Sequence, residues 1–345
     1  MAQKFTVVVT SDRYGNETEG LEMEQSVVDE ITDLEIDLQG RPSTSEDELI
    51  AAGRDADALC VSTREDVTRR VLENLPRTKV ISRYGVGLDN VDLDAAADCG
   101  IVVTHYPGYC TSEVADHALA MILALNRRLV EQDRALRAGD WVKYGPATRT
   151  ILRGPVWPLR EQTLGIVGFG RIGQSVAERA RPFGLKILAA DPYQEPAVMQ
   201  AHGVEAVSLD DLLDRSDVVT LHCPLTPETR GIIGAPELAR LRPSAVLVNT
   251  ARGPLVDLKA LAAALEARVL AGAALDVVYP EPLPAEAPFY AMDNVILTPH
   301  SAYYSERSVE LVRRETLLEA IQVLRGRRPR TVANPAVLAK VHLEA

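Results

Sequence analysis

Thr163-Leu-Gly-Ile-Val-Gly-Phe-Gly-Arg-Ile-Gly173, followed by a helix-patterned run from Gln174 to Phe183, decides how this chain is read. A short β-type run, the pattern GxGxxG and a helix follow one another directly, and that context turns a weak glycine motif into a dinucleotide cradle. Gly168 allows the tight turn, Gly170 lets the backbone approach a pyrophosphate, and Gly173 lets helix and strand pack closely. Arg171 and Ile172 lie between the last two glycines, where the helix N-terminus offers N–H groups to an anion. A second run, Lys186–Asp191, ends in a carboxylate placed to accept hydrogen bonds from adenosine ribose hydroxyls. That charge repels a 2′-phosphate, and Pro192 and Tyr193 supply no adjacent arginine, so the expected cofactor is NAD rather than NADP.

Outward from this motif, short β-type runs alternate with helical patterns, the signature of βαβ units and a parallel sheet. Downstream the series continues through Val218–Cys223, Ala245–Thr250, Ala273–Val277 and Val295–Thr298, enough strands for a complete dinucleotide-type sheet. Upstream lie Phe5–Thr10, Ala58–Ser62, Lys79–Ser82 and Ile101–Thr104, separated by helix-like segments such as Glu22–Ile31 and Val67–Leu75. Between the two series, a helical pattern from Ser112 to about Ala138 carries Ala118, Met121, Ile122, Leu125 and Leu129 on one face. A last helix, roughly Ser305–Arg325, follows the final strand and is expected to return to the first domain. The expected class is therefore α/β, with two Rossmann- or flavodoxin-like parallel-sheet domains. Residues 1–105 plus 301–345 form a discontinuous substrate domain, and residues 106–300 a NAD-binding Rossmann domain.

The 345 residues, 46% hydrophobic, are enough to bury two such cores. A formal charge of -12 argues against nucleic acid as a partner, because that recognition rests on neutralising phosphates with Lys and Arg. Cys60, Cys99, Cys110 and Cys223 form no CxxC pair, so neither a metal site nor a disulfide framework is expected. The start, Met1 to Thr10, reads as a β-type run rather than a signal segment, and no apolar stretch is long enough to span a bilayer. A cytoplasmic protein without membrane contact is expected.

Three further residues fall at or just past strand ends: Arg252 after Ala245–Thr250, Glu281 after Ala273–Val277, and His300 after Val295–Thr298. Singly, each reads as an ordinary surface group. Together they supply an imidazole that titrates near neutrality, a carboxylate that stabilises its charged form, and a guanidinium that grips a carboxylate bidentately. Those are the parts needed to pass a hydride to or from a small 2-keto or 2-hydroxy acid beside a nicotinamide. His222 also ends a strand, but Cys223-Pro-Leu-Thr-Pro after it suggests a loop bordering the nicotinamide.

A series of motifs running over nearly the whole chain resembles the D-isomer-specific 2-hydroxyacid dehydrogenases. It comprises Arg83-Tyr-Gly-Val-Gly-Leu-Asp-Asn-Val-Asp92, Leu164–Gly173, His222-Cys-Pro-Leu-Thr226, Val248-Asn-Thr-Ala-Arg-Gly253, Ala274-Leu-Asp-Val277, Pro280-Glu-Pro282 and Thr298-Pro-His300. The resemblance implies that Arg252 binds the substrate carboxylate, His300 is the acid/base and Glu281 its partner. It also implies that Asp276 meets the nicotinamide carboxamide, that Thr250 and Ala251 lie beside the ring, and that Cys223 to Thr229, Pro224 among them, runs along the cofactor. Ala302 joins this set, and backbone amides at Val86 and Gly87 are implied to meet the substrate.

Within the family, Arg83, Asp276–Glu281 and His300-Ser-Ala-Tyr-Tyr-Ser-Glu306 look closest to the branch of the C-terminal binding protein corepressors. There a tryptophan follows His-x-Ala, whereas this chain has Tyr303, which implies a more polar substrate pocket. Arg83 is placed either to meet a second anionic group, as a phosphoglycerate-type substrate requires, or as a surface or interdomain arginine. The corepressor likeness adds a second reading, an NAD(H)-sensing dimeric scaffold with little turnover. A homodimer is expected from the Ser112–Ala138 segment and the resemblance, although the apolar face of that segment equally suits the chain's own core.

Overall fold

In a computed structural model, residues 4–11, 14, 20–145 and 155–344 are described. The chain divides into two compact units, Met1–Cys110 with Ser305–Ala345, and Thr111–Tyr304, so each boundary falls a few residues later than the sequence suggests.

The first unit holds a parallel sheet of β1 (Lys4–Val9), β2 (Glu35–Gly40), β3 (Ala58–Val61), β4 (Val80–Arg83) and β5 (Val102–His105), in the order β2-β1-β3-β4-β5. Both faces are covered. Phe5, Val7 and Val9 enter one core while Val8, between them, enters another with Leu59, Val61 and Ile81. The helix Glu306–Leu324 supplies Val312, Leu317, Ala320 and Ile321 to the first of these cores, which is what makes the unit discontinuous. Val312, Leu317 and Ile321 each contribute about 1.5–3 kcal/mol by this burial. Ser305 starts the helix by exchanging hydrogen bonds with Ser308, the hydroxyl of each accepting from the backbone N–H of the other.

The second unit is built on β6 (Thr163–Val167), β7 (Lys186–Ala190), β8 (Glu205–Ala206), β9 (Val218–Leu221), β10 (Val246–Asn249), β11 (Gly272–Leu275) and β12 (Val295–Leu297). Their order is β12-β11-β10-β9-β6-β7-β8, all parallel. Near-continuous apolar strands such as VVTL and VLVN suit a sheet buried on both faces. Leu247 packs in one core and its neighbours Val246 and Val248 in the other. The chain leaves β6 toward β7 on one side, and β9 pairs with β6 on the other. The crevice at the strand C-termini beside such a reversal is where open α/β sheets bind ligands.

Three expectations change. β2 was not anticipated, because Glu35, Asp37 and Gln39 alternate along an edge strand that is only half buried. β8 has two exposed residues and too little sequence signal. The single helix expected over Ser112–Ala138 is two, Thr111–Asn126 and Leu129–Arg137, interrupted where Arg128 takes a left-handed conformation with φ 51°. Periodicity runs through the break because neither Gly nor Pro marks it. Ala118, Met121 and Ile122 are buried in the unit's own core, whereas Leu129 is exposed and the second helix buries no residue.

Candidate active site

The pairing register gathers the site. Ala190 aligns with Val167, Val167 with Leu221, Leu221 with Asn249, Asn249 with Leu275 and Leu275 with Leu297. One residue further on, across neighbouring strands in spatial order, stand Asp191, Gly168, His222, Thr250, Asp276 and Thr298. Residues scattered over more than a hundred positions of sequence thus form one row along the C-terminal edge.

The glycines fit a dinucleotide. Gly168 has φ +90°, and a Cβ there would stand 2.5 Å from the Cys223 nitrogen and 2.7 Å from the His222 carbonyl carbon. A Cβ on Gly173 would stand 2.3 Å from the Gly168 oxygen, so helix and turn close on each other. At Gly170 a Cβ meets nothing within 4 Å, which leaves the backbone open to an approaching phosphate. The helix Arg171–Ala180 begins there without a side-chain cap, so its first N–H groups are not taken by a side chain at the cap. Asp191 is held by the same loop, its Oδ2 accepting from Phe169 N–H at 2.8 Å and its Oδ1 from Tyr193 N–H at 2.9 Å. These bonds aim the carboxylate and leave lone pairs for ribose hydroxyls.

Two buried atoms on this edge find no partner among the described residues: His222 Nδ1 and Thr250 Oγ1. Such atoms are rare in folded chains, and an ordered water or a bound ligand is what completes their bonding. His222 Nε2 is 2.9 Å from Thr220 Oγ1, and burial pushes the imidazole pKa down to about 3, so this ring is neutral. The loop after it is closed by Thr229, whose hydroxyl donates to Pro224 O at 2.7 Å and accepts from Thr226 N–H at 2.8 Å. Burial, reinforced by the nearby Asp191 charge, raises the Cys223 thiol to about 11.

His300 is paired with a carboxylate instead. Its Nδ1 is 2.8 Å from Glu281 Oε1, and its backbone is left-handed at φ 53°, a conformation uncommon outside glycine, although histidine adopts it more often than most residues. The segment is pinned by Asp276. The Asp276 carbonyl accepts from His300 N–H at 2.8 Å, while Oδ1 accepts from Ser301 N–H at 2.8 Å and Oδ2 from Ala302 N–H at 3.0 Å. The Tyr303 ring lies edge-on to His300, with centroids 6.4 Å apart.

Arg252 sits in a turn bracketed by Asn249, whose side-chain amide donates to Arg252 O at 2.8 Å and accepts from Ala251 N–H at 3.0 Å. A Cβ on the next residue, Gly253, would stand 2.1 Å from Val278 O. Only glycine lets the Arg252 turn press against the strand exit that leads to Glu281. Asn249 and Gly253 were missed as positioning residues, although an Asn at a strand end and an isolated Gly are both recognised signals for local backbone bonding and close approach.

In the first unit, Val86 and Gly87 follow β4, and His105 Nδ1 lies 2.8 Å from Val86 O. Arg83 is buried; its Nη1 donates to Tyr84 O at 2.7 Å, and the guanidinium occupies the space a Cβ on Gly85 would need. Among the described residues, no three His, Cys, Asp or Glu side chains are gathered to hold a metal ion, and no helix is long and apolar enough to cross a membrane.

Together, the glycine turn, the aspartate at the neighbouring strand end and the imidazole–carboxylate pair on the same edge define a dinucleotide-dependent α/β oxidoreductase. The model of the D-isomer specific 2-hydroxyacid dehydrogenase NAD binding domain matches residues 119–302. A glyoxylate reductase of Thermofilum pendens is 41% identical over 305 residues, covering 87% of this chain and 88% of its own. The TT0316 protein of Thermus thermophilus superposes with a TM-score of 0.83 at 36% identity, covering 95% of this chain and 99% of its own. D-lactate dehydrogenase of Aquifex aeolicus, complexed with NAD and lactic acid, gives 0.79 at 28% identity, covering 98% and 99%. This chain belongs to the D-isomer-specific 2-hydroxyacid dehydrogenase family: it is an NAD-dependent dehydrogenase of D-2-hydroxy acids.

Proposed function

We propose that the protein interconverts a small 2-keto acid and its D-2-hydroxy acid, with His300 as acid/base, Glu281 as its partner and Arg252 as the carboxylate anchor. The observation that carries this reading is the 2.8 Å contact between His300 Nδ1 and Glu281 Oε1, set on the edge that also bears the glycine cradle. Nδ1 is committed to the carboxylate, so Nε2 is the nitrogen that gives a proton to the substrate oxygen in reduction and takes it back in oxidation. Glu281 stabilises the imidazolium and fixes the ring's orientation. The Arg252 guanidinium donates through Nη1 to Ala251 O at 2.7 Å, and its planar fork suits the bidentate grip of a carboxylate.

Gly168, Gly170, Arg171, Ile172 and Gly173 would hold the pyrophosphate, and Asp191 the adenosine ribose. His222, Cys223, Pro224 and Thr229 would border the cofactor, with Thr250, Ala251, Asp276 and Ala302 at its nicotinamide end. When bound, NADH supplies the hydride. Val86 and Gly87 as substrate contacts rest on the family resemblance, as does Tyr303 beside the side-chain pocket.

Arg83 is buried, with Nη1 donating to Tyr84 O at 2.7 Å, and a phosphorylated acid is the alternative substrate that it would meet. Steady-state NADH oxidation with glyoxylate, hydroxypyruvate, pyruvate and a phosphorylated 2-keto acid tests the assignment, with NADPH in parallel. The expected result is turnover of the smaller acids, with a preference for NADH. Tight NADH binding with no turnover of any member supports the corepressor-like scaffold instead.

A homodimer is part of the same proposal. Leu129, Trp141 and Val142, 53%, 60% and 94% exposed, are apolar side chains that a partner subunit would cover. Light scattering at micromolar concentration is expected to give twice the chain mass of 37.6 kDa; a monomer refutes this part. The reducing cytoplasm is the proposed compartment, consistent with four free thiols.

A further inference from the structure

His117 has no place in the chemistry above, yet it reaches the same strand edge from a helix outside the sheet. It lies on Thr111–Asn126, and its Nε2 is 3.1 Å from Thr298 Oγ1 and 3.7 Å from Asp276 Oδ1. Thr298 Oγ1 is in turn 2.5 Å from Asp276 Oδ1. A hydroxyl has one proton to give. The Asp276 carboxylate already accepts two backbone N–H groups and acts here as an acceptor, so the Thr298 proton goes to it. Thr298 can then only accept from His117, which places a proton on His117 Nε2. The bonds form one directed chain: His117 Nε2–H to Thr298 Oγ1–H to Asp276 Oδ1, with Asp276 gripping the N–H groups of His300, Ser301 and Ala302 through its carbonyl and both carboxylate oxygens.

We propose that His117 is a positioning residue for His300, acting through Thr298 and Asp276 to hold the left-handed turn that presents the imidazole. Such a turn costs free energy at a residue that is not glycine, and it persists only where its surroundings over-determine it. The Asp276 clamp supplies that constraint, and the N–H of His117 keeps the Thr298 hydroxyl pointed at Asp276 rather than free to rotate. The site thus contains two imidazole–carboxylate arrangements of different purpose. His300–Glu281 exchanges a proton with substrate, whereas His117–Thr298–Asp276 sets where that exchange takes place.

The inference rests on His300 being the acid/base. The test compares His117→Leu, His117→Gln, Thr298→Val and the double variant His117→Leu/Thr298→Val in the full chain. Readouts are kcat and KM for glyoxylate, NADH dissociation constant by fluorescence, and Tm. Leu removes the donor, and kcat is expected to fall about tenfold or more with NADH affinity within twofold of wild type. Gln presents an amide N–H near the position of Nε2 and is expected to restore most of the loss. Thr298→Val, which breaks the same chain from the other end, should match Leu, and the double variant should be no worse than either. Wild-type kcat in His117→Leu overturns the proposal. So does a His117→Gln variant as impaired as Leu, which would make the ring a packing element, or a fall in NADH affinity that tracks kcat. Should Leu fail to fold, Gln and Thr298→Val decide the matter on the same criteria. His300→Gln is run alongside: wild-type turnover in that variant sinks the acid/base reading itself, whereas loss there with none in the His117 series sinks only this inference.

Discussion

The two edges of the second unit's sheet are both polar, and they have opposite fates. At the edge where the strands begin, charged groups find protein partners. Asp217 accepts from Thr163 N–H at 2.8 Å and from Arg242 Nη1 at 3.0 Å, Arg268 meets Asp293 at 3.2 Å, and Arg128 meets Glu131 at 2.8 Å. At the edge where the strands end, His222 Nδ1 and Thr250 Oγ1 are buried without partners among the described residues, a glycine turn is open at Gly170, and His300 is held left-handed. A cavity of about 880 Å³ lies at the first edge among Leu125, Arg128, Glu131, Trp157, Asp217 and Arg242, and none of the proposed site residues lines it. The candidate ligand edge carries bonding left incomplete among the described residues, whereas the charged groups named at the other edge are paired within the chain.

The comparison can be broken at either edge. At the ligand edge, Arg252→Ala is expected to raise KM for the 2-keto acid about a hundredfold, the loss of a charge-assisted bidentate grip, with NADH affinity preserved. Unchanged KM and kcat would remove Arg252 from the site. At the opposite edge, Asp217→Asn weakens bonds that serve only the fold. Unfolding stability should drop by about 1 kcal/mol, a few degrees in Tm, with kcat and KM unaltered. A kinetic effect there as large as that of Arg252→Ala would mean the two edges are not functionally separate.

Much of the fold was legible because buried parallel strands read as short apolar runs. What escaped lacked that signal: β2 alternates Glu, Asp and Gln along an edge, β8 is two exposed residues, and the break at Arg128 falls among good helix formers. The candidate site was legible as far as strand ends could be located. Asp191, His222, Arg252, Glu281 and His300 were all named from that logic or from the motifs around them, but only the register shows that Asp191, Gly168, His222, Thr250, Asp276 and Thr298 stand in one row. Long-range partners were invisible. Nothing local ties His117 to Thr298, 181 positions away, or makes Gly253 the contact point of the Arg252 turn with Val278. The two strand-end histidines show the same limit, since sequence places both at the edge while only burial makes His222 a neutral ring and only Glu281 gives His300 a charge partner.

The central claim is that His300 moves the proton on an edge whose cofactor cradle works independently of it. Measuring His300→Gln for both turnover and NADH binding tests this most directly. The account predicts a fall in kcat of about a hundred- to ten-thousandfold with an NADH dissociation constant within a few-fold of wild type. Turnover at the wild-type level in that variant would contradict it.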